Sequence, residues 1–180
     1  YISVNNEEKK NFIMPLKGWI FMSKNNDKTN VMRILDQKKI PYTSHNYLNT
    51  GAVSGTEVAE ALGEDPDMVF KTLVTVGKSK TNYVFVVPVN KELNLKKAAQ
   101  SVGEKSIEMI RSKELLPLTG YIHGGCSPIG MKKQFRTVID KSAQKQERII
   151  FSGGKIGYQV ELTLKDLEKV IRFQVEDVAE

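Results

Sequence analysis

The sequence is poor in the residues that build disulfides and metal sites. It contains one cysteine, Cys126, and two histidines, His45 and His123, among 180 residues. A single cysteine excludes an internal disulfide and is typical of a protein from a reducing compartment. These three side chains do not make an ordinary zinc site, and neither an HExxH nor a CxxC motif is present. The sequence therefore predicts a cytoplasmic protein that uses no metal and no other cofactor.

Long apolar runs are also absent, and none approaches the roughly 18 residues that a membrane-spanning helix needs. The most apolar stretch, residues 11–22, is interrupted by Pro15 and Lys17, which leaves no room for the apolar core of a signal peptide. Residues 1–24 differ in composition from the rest. We therefore expect an N-terminal extension there, mobile or arising from an upstream start, followed by a single domain over residues 25–180.

The charge of the chain is positive. Lys and Arg number 27 against 21 Asp and Glu, a net charge of +6. Such a surplus favours binding of a polyanion such as tRNA through its phosphates, but an ordinary solvated basic surface has the same composition. Charge alone leaves both interpretations open.

The periodicity of apolar residues predicts an α+β domain. Residues 69–76 and 83–87 are rich in Val and Phe and indicate a β-hairpin with a loop over residues 77–82. Capping residues predict helices after Thr29 or Asn30, after Thr56, after Asn94, and over residues 164–171 behind a Thr163–Asp166 capping box. Further strands are predicted at residues 42–47, 105–109, 136–140, 148–151 and 158–162. This order of elements favours a mixed, mostly antiparallel and barrel-like sheet with peripheral helices.

Lys71 is unusual because it lies within the apolar first strand of this hairpin. Alternation places it on one face of the strand with Val69, Leu73 and Thr75. Edge strands often carry an exposed lysine that blocks further pairing. The alternative is a partly desolvated pocket, in which the ammonium group anchors a carbonyl oxygen or a phosphate.

Two glycine-rich segments could complete such a pocket. The first, residues 124–130, reads Gly-Gly-Cys-Ser-Pro-Ile-Gly, and its backbone amides could form an anion-binding nest or simply a tight loop. The second, Ser152-Gly153-Gly154-Lys155, taken alone is an ordinary turn. Two such turns and a lysine within a strand together favour one shared pocket.

Other reactive side chains offer weaker alternatives. Cys126 could act as a nucleophile with His123 as its base, although no orienting Asp or Asn follows a recognised pattern. Asp140 could act as a base, or it could end a strand and cap the turn that follows.

In their order along the chain, these features resemble the YbaK/EbsC family of freestanding prolyl-tRNA editing proteins. These proteins are similar to the editing domain inserted in bacterial prolyl-tRNA synthetases. The resemblance spans residues 29–179. The matching segments are His45 with Tyr47, Val69–Leu73, Thr119–Tyr121, Gly124–Gly130, Lys132 with Lys133, and Ser152–Lys155.

The resemblance implies a pocket for the 3′-aminoacyl-adenosine of a charged tRNA. It assigns the catalytic position to Lys71, which would contact the ester end or the terminal phosphate region. Backbone amides of residues 124–128 would bind the terminal ribose and ester. The implied substrate-binding residues are Tyr47, Thr72, Gly124, Gly125, Ser127, Pro128, Ser152, Gly153 and Gln159.

The implied function is deacylation of Cys-tRNA(Pro), and of Cys-tRNA(Cys) as a second substrate. The thiol of the substrate would attack its own ester, so the protein would need no nucleophile. Prolyl-tRNA synthetase is the implied protein partner. Many family members carry an acid at the position of Gln159. Its absence leaves two alternatives open: a deacylase that prefers Ala-tRNA(Pro) or another small amino acid, and a non-catalytic module that binds tRNA or a synthetase.

Overall fold

The computed structural model describes residues 28–180. The predicted extension over residues 1–24 lies outside the described residues. Within the described part, no helix is long and apolar enough to cross a membrane. The helices are α1 (Asn30–Gln37), α2 (Gly55–Leu62), α3 (Leu95–Val102), α4 (Ser112–Thr119) and α5 (Leu164–Leu167). The strands are β1 (Thr43–Asn46), β2 (Phe70–Gly77), β3 (Asn82–Pro88), β4 (Ile107–Met109), β5 (Arg136–Asp140), β6 (Ile149–Ser152), β7 (Tyr158–Leu162) and β8 (Gln174–Glu176).

The strands form two sheets, which confirms the predicted α+β fold. A five-stranded sheet has the order β4-β2-β3-β5-β8, and a three-stranded sheet has the order β1-β7-β6. Four of the six strand pairs are antiparallel, whereas β5 pairs in parallel with both β3 and β8. An isolated parallel bridge between Val69 and Ile150 joins the two sheets.

Alternation along β2 divides its side chains between two cores. Phe70 and Val74 point into the main core, which also holds side chains of β6, β7 and α1. Leu73, on the other face, packs against a second core that α3 covers through Ala98 and Val102. The predicted face of Lys71 is therefore the face of the five-stranded sheet that carries the second core.

Two predicted helix boundaries are wrong. The N-cap of α2 is Ser54 rather than Thr56, because Ser54 stands three residues before Glu57 and the two form a reciprocal capping box. The last helix, α5, ends at Leu167 instead of continuing to residue 171. The Thr163 hydroxyl caps it as expected, but the Asp166 carboxylate binds Lys169 at 3.0 Å.

Asp140 proves to be a capping residue. Its carboxylate accepts hydrogen bonds from the backbone N–H groups of Ser142, Val178 and Ala179, at 3.1, 3.0 and 3.0 Å. Burial raises the pKa of Asp140, but these hydrogen bonds outweigh it and the net pKa is lowered. All three bonds serve the protein itself, so Asp140 fixes the C-terminal segment.

Candidate functional site

Lys71 lies near the start of β2, where one edge of the strand has no β4 partner. Strand β4 pairs only with Thr75, Val76 and Gly77 at the far end of β2. The Lys71 side chain is 28% exposed, and its Nζ lies 3.3 Å from Oε1 of Glu92. Glu92 is itself mostly exposed, so this ion pair is weak and easily broken. The ammonium group is therefore partly desolvated and available to another anion.

Strand register places Lys71 in a row with three polar residues. Val69 and Ile150 are bridge partners on the parallel segments of β2 and β6, so two residues further along Lys71 and Ser152 come to the same level. Ser152 is paired with Gln159 on β7, and Gln159 with His45 on β1. Paired residues point to the same face of a sheet. Lys71, Ser152, Gln159 and His45 therefore form a cross-strand row, in which Gln159 is buried and the other three are partly exposed.

The buried carboxylate of Glu64 lies against the Gln159 side chain of this row. The Gln159 amide satisfies both of its ends only with its nitrogen facing Glu64, and it then donates to the two Glu64 carboxylate oxygens at 3.1 and 2.9 Å. His45 Nε2 lies 2.9 Å from Glu161 Oε2 and 3.9 Å from Glu64 Oε2. Glu64 itself was not foreseen from the sequence, because it follows α2 and only the tertiary fold brings it onto β7.

Glu64 is an uncommon carboxylate because only 6% of its side chain is exposed. Burial raises the pKa of Glu64, and Glu161 adds to the rise, whereas His45 and the Gln159 hydrogen bond oppose it. The net result is a raised pKa. Burial is thus the main reason why the charged form of Glu64 is disfavoured.

The two glycine turns are packed against each other. A Cβ on Gly125 would lie 3.1 Å from the backbone nitrogen of Ile156. A Cβ on Gly154 would lie 3.2 Å from the ring of Tyr121. Tyr121 precedes the first turn, and its hydroxyl donates to the backbone carbonyl of Ile129 at the end of that turn. The Tyr121 ring thus packs between the two turns.

The first turn presents backbone amides. The N–H of Gly125 donates to the carbonyl of Ile122 at 3.0 Å, and the N–H of Ile129 donates to the Ser127 hydroxyl at 3.3 Å. The amides of Cys126 and Ser127 have no acceptor among residues 28–180. Both residues are buried, Ser127 completely. No hydrogen bond within the described residues joins this turn to Lys71.

The other predicted binding residues lie in different surroundings. Tyr47 is buried directly after β1, and its N–H donates to the carbonyl of Gly157 at 2.9 Å. Gly153 donates to the carbonyl of Tyr158, and Pro128 is buried in the first turn. Thr72 points to the face opposite Lys71, and its buried Oγ1 has no partner in the described part of the chain. The cross-strand row thus brings together Lys71, Ser152 and Gln159, but not Thr72.

Cys126 is poorly suited to nucleophilic attack. It is buried, and burial raises the pKa of its thiol to about 12. The reactive form is the thiolate, which such a pKa suppresses at neutral pH. His123 is exposed and makes no hydrogen bond to Cys126 in the described structure.

Two cavities lie away from the row. The first, of about 560 Å³, is lined by Gln144, Gln146, Glu147, Thr163, Leu164, Lys165 and Glu168. The second, of about 340 Å³, is lined by Gln134, Phe135, Arg136, Thr137, Arg172, Phe173 and Gln174. Neither lining contains a predicted site residue. Over residues 28–180, no group of three or more His, Cys, Asp or Glu side chains is arranged to hold a metal ion.

Comparison with known proteins identifies the family. The model of the aminoacyl-tRNA editing domain matches residues 51–170. The chain belongs to the aminoacyl-tRNA editing domain family. It is 49% identical over 140 residues to EbsC of Enterococcus faecalis, whose name marks it as a candidate Cys-tRNA(Pro)/Cys-tRNA(Cys) deacylase; the match covers 77% of this chain and 85% of EbsC. The resemblance to the YbaK/EbsC family is thereby confirmed.

Other proteins similar to this chain point to the same family. A proline–tRNA ligase of Shouchella clausii is 34% identical over 102 residues, which are 57% of this chain and 18% of the ligase. A solved structure described as a candidate trans-editing enzyme for prolyl-tRNA synthetase superposes with a TM-score of 0.73 at 25% identity, covering 84% of this chain and 98% of the other. A hypothetical protein of known structure has a TM-score of 0.75 at 22% identity over 84% of this chain and all of its own, which shows the fold alone.

Proposed function

We propose that this protein is a freestanding deacylase that removes cysteine from mischarged Cys-tRNA(Pro). The proposal is carried by the cross-strand row, which aligns a partly desolvated lysine with Ser152 and Gln159 in a chain of the editing family. The identity of 49% with EbsC supports cysteine as the amino acid and Cys-tRNA(Cys) as a second substrate.

The reaction that suits this surface uses the thiol of the substrate. Its sulfur attacks the ester carbon of the cysteinyl group, an S–C bond forms, and the C–O bond to the ribose breaks. The thiol proton passes to the ribose oxygen, so the products are free tRNA and a cyclic thiolactone. The protein contributes no nucleophile, which agrees with the neutral, buried thiol of Cys126.

The protein would act by positioning and by charge stabilisation. The carbonyl oxygen of the ester becomes an oxyanion as the sulfur attacks, and the Lys71 ammonium group can stabilise this oxyanion. Backbone amides of the first glycine turn, residues 124–128, would offer further donors for the ester or the ribose. Ser152 and Gln159 would form the wall that holds the amino acid in place.

The choice of tRNA would depend on a partner. An aminoacyl-tRNA is the substrate, and the related domain within a proline–tRNA ligase supports a link with the prolyl-tRNA synthetase family. We propose tRNA(Pro) as the specific tRNA, prolyl-tRNA synthetase as the partner that selects it, and a metal-independent reaction in the cytoplasm.

The test compares Cys-tRNA(Pro), Cys-tRNA(Cys) and Ala-tRNA(Pro) as substrates, each with and without prolyl-tRNA synthetase. We expect cysteine to be released at least tenfold faster than alanine, because alanine has no thiol to attack the ester. Faster release of alanine would instead establish the alanine-preferring alternative. Binding of these tRNAs without any turnover would establish a non-catalytic module.

A further inference from the structure

Gln159 departs from the acid that many members of this family carry, yet a carboxylate lies directly on it. Both oxygens of Glu64 accept from the Gln159 amide, at 3.1 and 2.9 Å. Gln159 is 5% exposed, so this contact is shielded from water. A carboxylate therefore lies against the Gln159 side chain of β7, supplied by the segment that follows α2.

The backbone holds Glu64 firmly in this position. Helix α2 ends at Gly63, which adopts a left-handed conformation with φ of 65°. The N–H of Glu64 then donates to the carbonyl of Ala59 at 2.8 Å. Ala59 packs with Val69 and Ile150 at the junction of the two sheets. The carboxylate is thus anchored to the same junction that aligns Lys71 with Ser152.

The charge of Glu64 is only partly compensated. Its hydrogen-bond donor, the Gln159 amide, is neutral. His45 lies closer to Glu161, at 2.9 Å, than to Glu64, at 3.9 Å. A carboxylate has about four acceptor sites. A buried carboxylate with a neutral donor gains from a cationic ligand, because an unpaired buried charge is costly.

The substrate carries such a cation. In an aminoacyl ester the α-ammonium group is one carbon away from the carbonyl that reacts. Lys71, Ser152 and Gln159 lie on three successive strands, so the Lys71 and Gln159 backbones are roughly 10 Å apart at ordinary strand spacing. A ligand across the row would have an anionic end at Lys71 and a cationic end at Glu64.

We propose that Glu64 is a specificity-determining residue, whose carboxylate binds the α-ammonium group of the aminoacyl ester. This role rests on the proposed deacylation of an aminoacyl-tRNA. It explains how a chain with glutamine at position 159 keeps an acidic group in the amino-acid subsite. It also implies selection against ester ligands whose amine is blocked.

Two substrates and one isosteric variant test this role. Glu64→Gln keeps the shape and can still hydrogen-bond to Gln159, but it removes the charge. Single-turnover rates are measured on Cys-tRNA(Pro) and on N-acetyl-Cys-tRNA(Pro), whose amine is uncharged. We expect Glu64→Gln to lose about tenfold or more on the first substrate and to match the wild type on the second. Equal losses on both substrates, or no loss on the first, would overturn the proposal.

A double variant and a matched control variant test whether the effect comes from the Glu64 charge. The double variant Glu64→Gln with Gln159→Glu exchanges the amide and the carboxylate of this hydrogen-bonded pair, so the negative charge stays in the site. It should recover most of the lost activity. Glu60→Gln removes an exposed carboxylate of α2 that makes no side-chain hydrogen bond in the described part of the chain. Its rate should stay within about twofold of the wild type, since it leaves the Glu64 pair intact.

Failure of this role is distinguishable from failure of the proposed function. If the wild type does not deacylate Cys-tRNA(Pro), the function itself is wrong. If the wild type is active and Glu64→Gln is equally active, only the role of Glu64 is wrong. Thermal unfolding of each variant separates either result from misfolding.

Discussion

Val69 and Ile150 face each other in a parallel bridge that joins the five-stranded sheet to the three-stranded one. Both side chains are buried, and both pack against Ala59 of α2. Because their strands run in the same direction from this bridge, Lys71 and Ser152 reach the same level on the same face. The bridge is thus the structural reason why a lysine on β2 can share a ligand with a turn that lies about 80 residues later in the chain.

A side chain at Gly125 should disturb the contact between the two glycine turns. A Cβ at this position would lie 3.1 Å from the Ile156 nitrogen and 3.4 Å from the Lys155 carbonyl carbon, so the backbones of the two turns would have to separate. We expect Gly125→Ala to fold but to lose roughly tenfold in kcat/KM for Cys-tRNA(Pro), because sub-ångström displacement of positioning groups is costly. Deacylation rate and thermal unfolding check this together. Full activity in a folded Gly125→Ala protein would show that the two turns need not touch.

Cys126 should be dispensable for catalysis. Burial raises the pKa of its thiol to about 12, so almost no thiolate exists at neutral pH. We expect Cys126→Ala and His123→Ala to deacylate Cys-tRNA(Pro) within about twofold of the wild type, and alkylation of the native thiol by iodoacetamide to be slow. An inactive but folded Cys126→Ala protein would revive the cysteine-hydrolase interpretation.

Asp140 should matter for stability rather than for activity. Its carboxylate accepts three backbone hydrogen bonds, so Asp140→Asn should lower the free energy of unfolding by about 2 kcal/mol at neutral pH. Chemical denaturation measures this directly. Asp36→Asn, which loses only a surface ion pair with Lys28, is the control and should change little.

The same residue predicts the direction of a pH effect. The folded-state pKa of Asp140 is lowered, so the stability it contributes is present above the unfolded value of about 4 and is lost as the pH falls through the folded value. The difference in stability between wild type and Asp140→Asn should therefore shrink in acid below about pH 4. A difference that is constant with pH would mean that the Asp140 charge is unimportant.

Local patterns in the sequence were enough to predict much of the fold. The alternation of Val and Phe predicted β2 and β3, and Asn94 with Gly103 bracketed α3. Alternation also placed Lys71 on the face opposite Phe70. These features depend on neighbours a few residues away, and the sequence records them directly. The Thr56 prediction is wrong although the local signal is present, since Ser54 stands three residues before Glu57 as a capping box requires.

The arrangement of the site could be predicted only in part. The sequence predicts one pocket shared by Lys71 and the two glycine turns; the two turns do touch, and the shared pocket stays a prediction. The pairing of Gln159 with both Ser152 and His45 depends on register between distant segments, which the hydrophobic pattern does not specify. Glu64 was missed for a similar reason. It follows a helix C-cap, and nothing near it in the sequence indicates that its carboxylate is buried against β7.

The activity proposed for Lys71 has a direct test, which is the deacylation of Cys-tRNA(Pro) by the wild type, by Lys71→Ala and by a control. Lys97→Ala is a suitable control, because Lys97 lies on α3 and makes only a surface ion pair with Asp177 at 3.1 Å. We expect Lys71→Ala to fold normally and to lose about a hundredfold in rate, the usual cost of removing a group that stabilises an oxyanion, while Lys97→Ala keeps the wild-type rate. A wild-type rate in folded Lys71→Ala, or the absence of deacylation by the wild-type protein, would contradict the proposed function of the row.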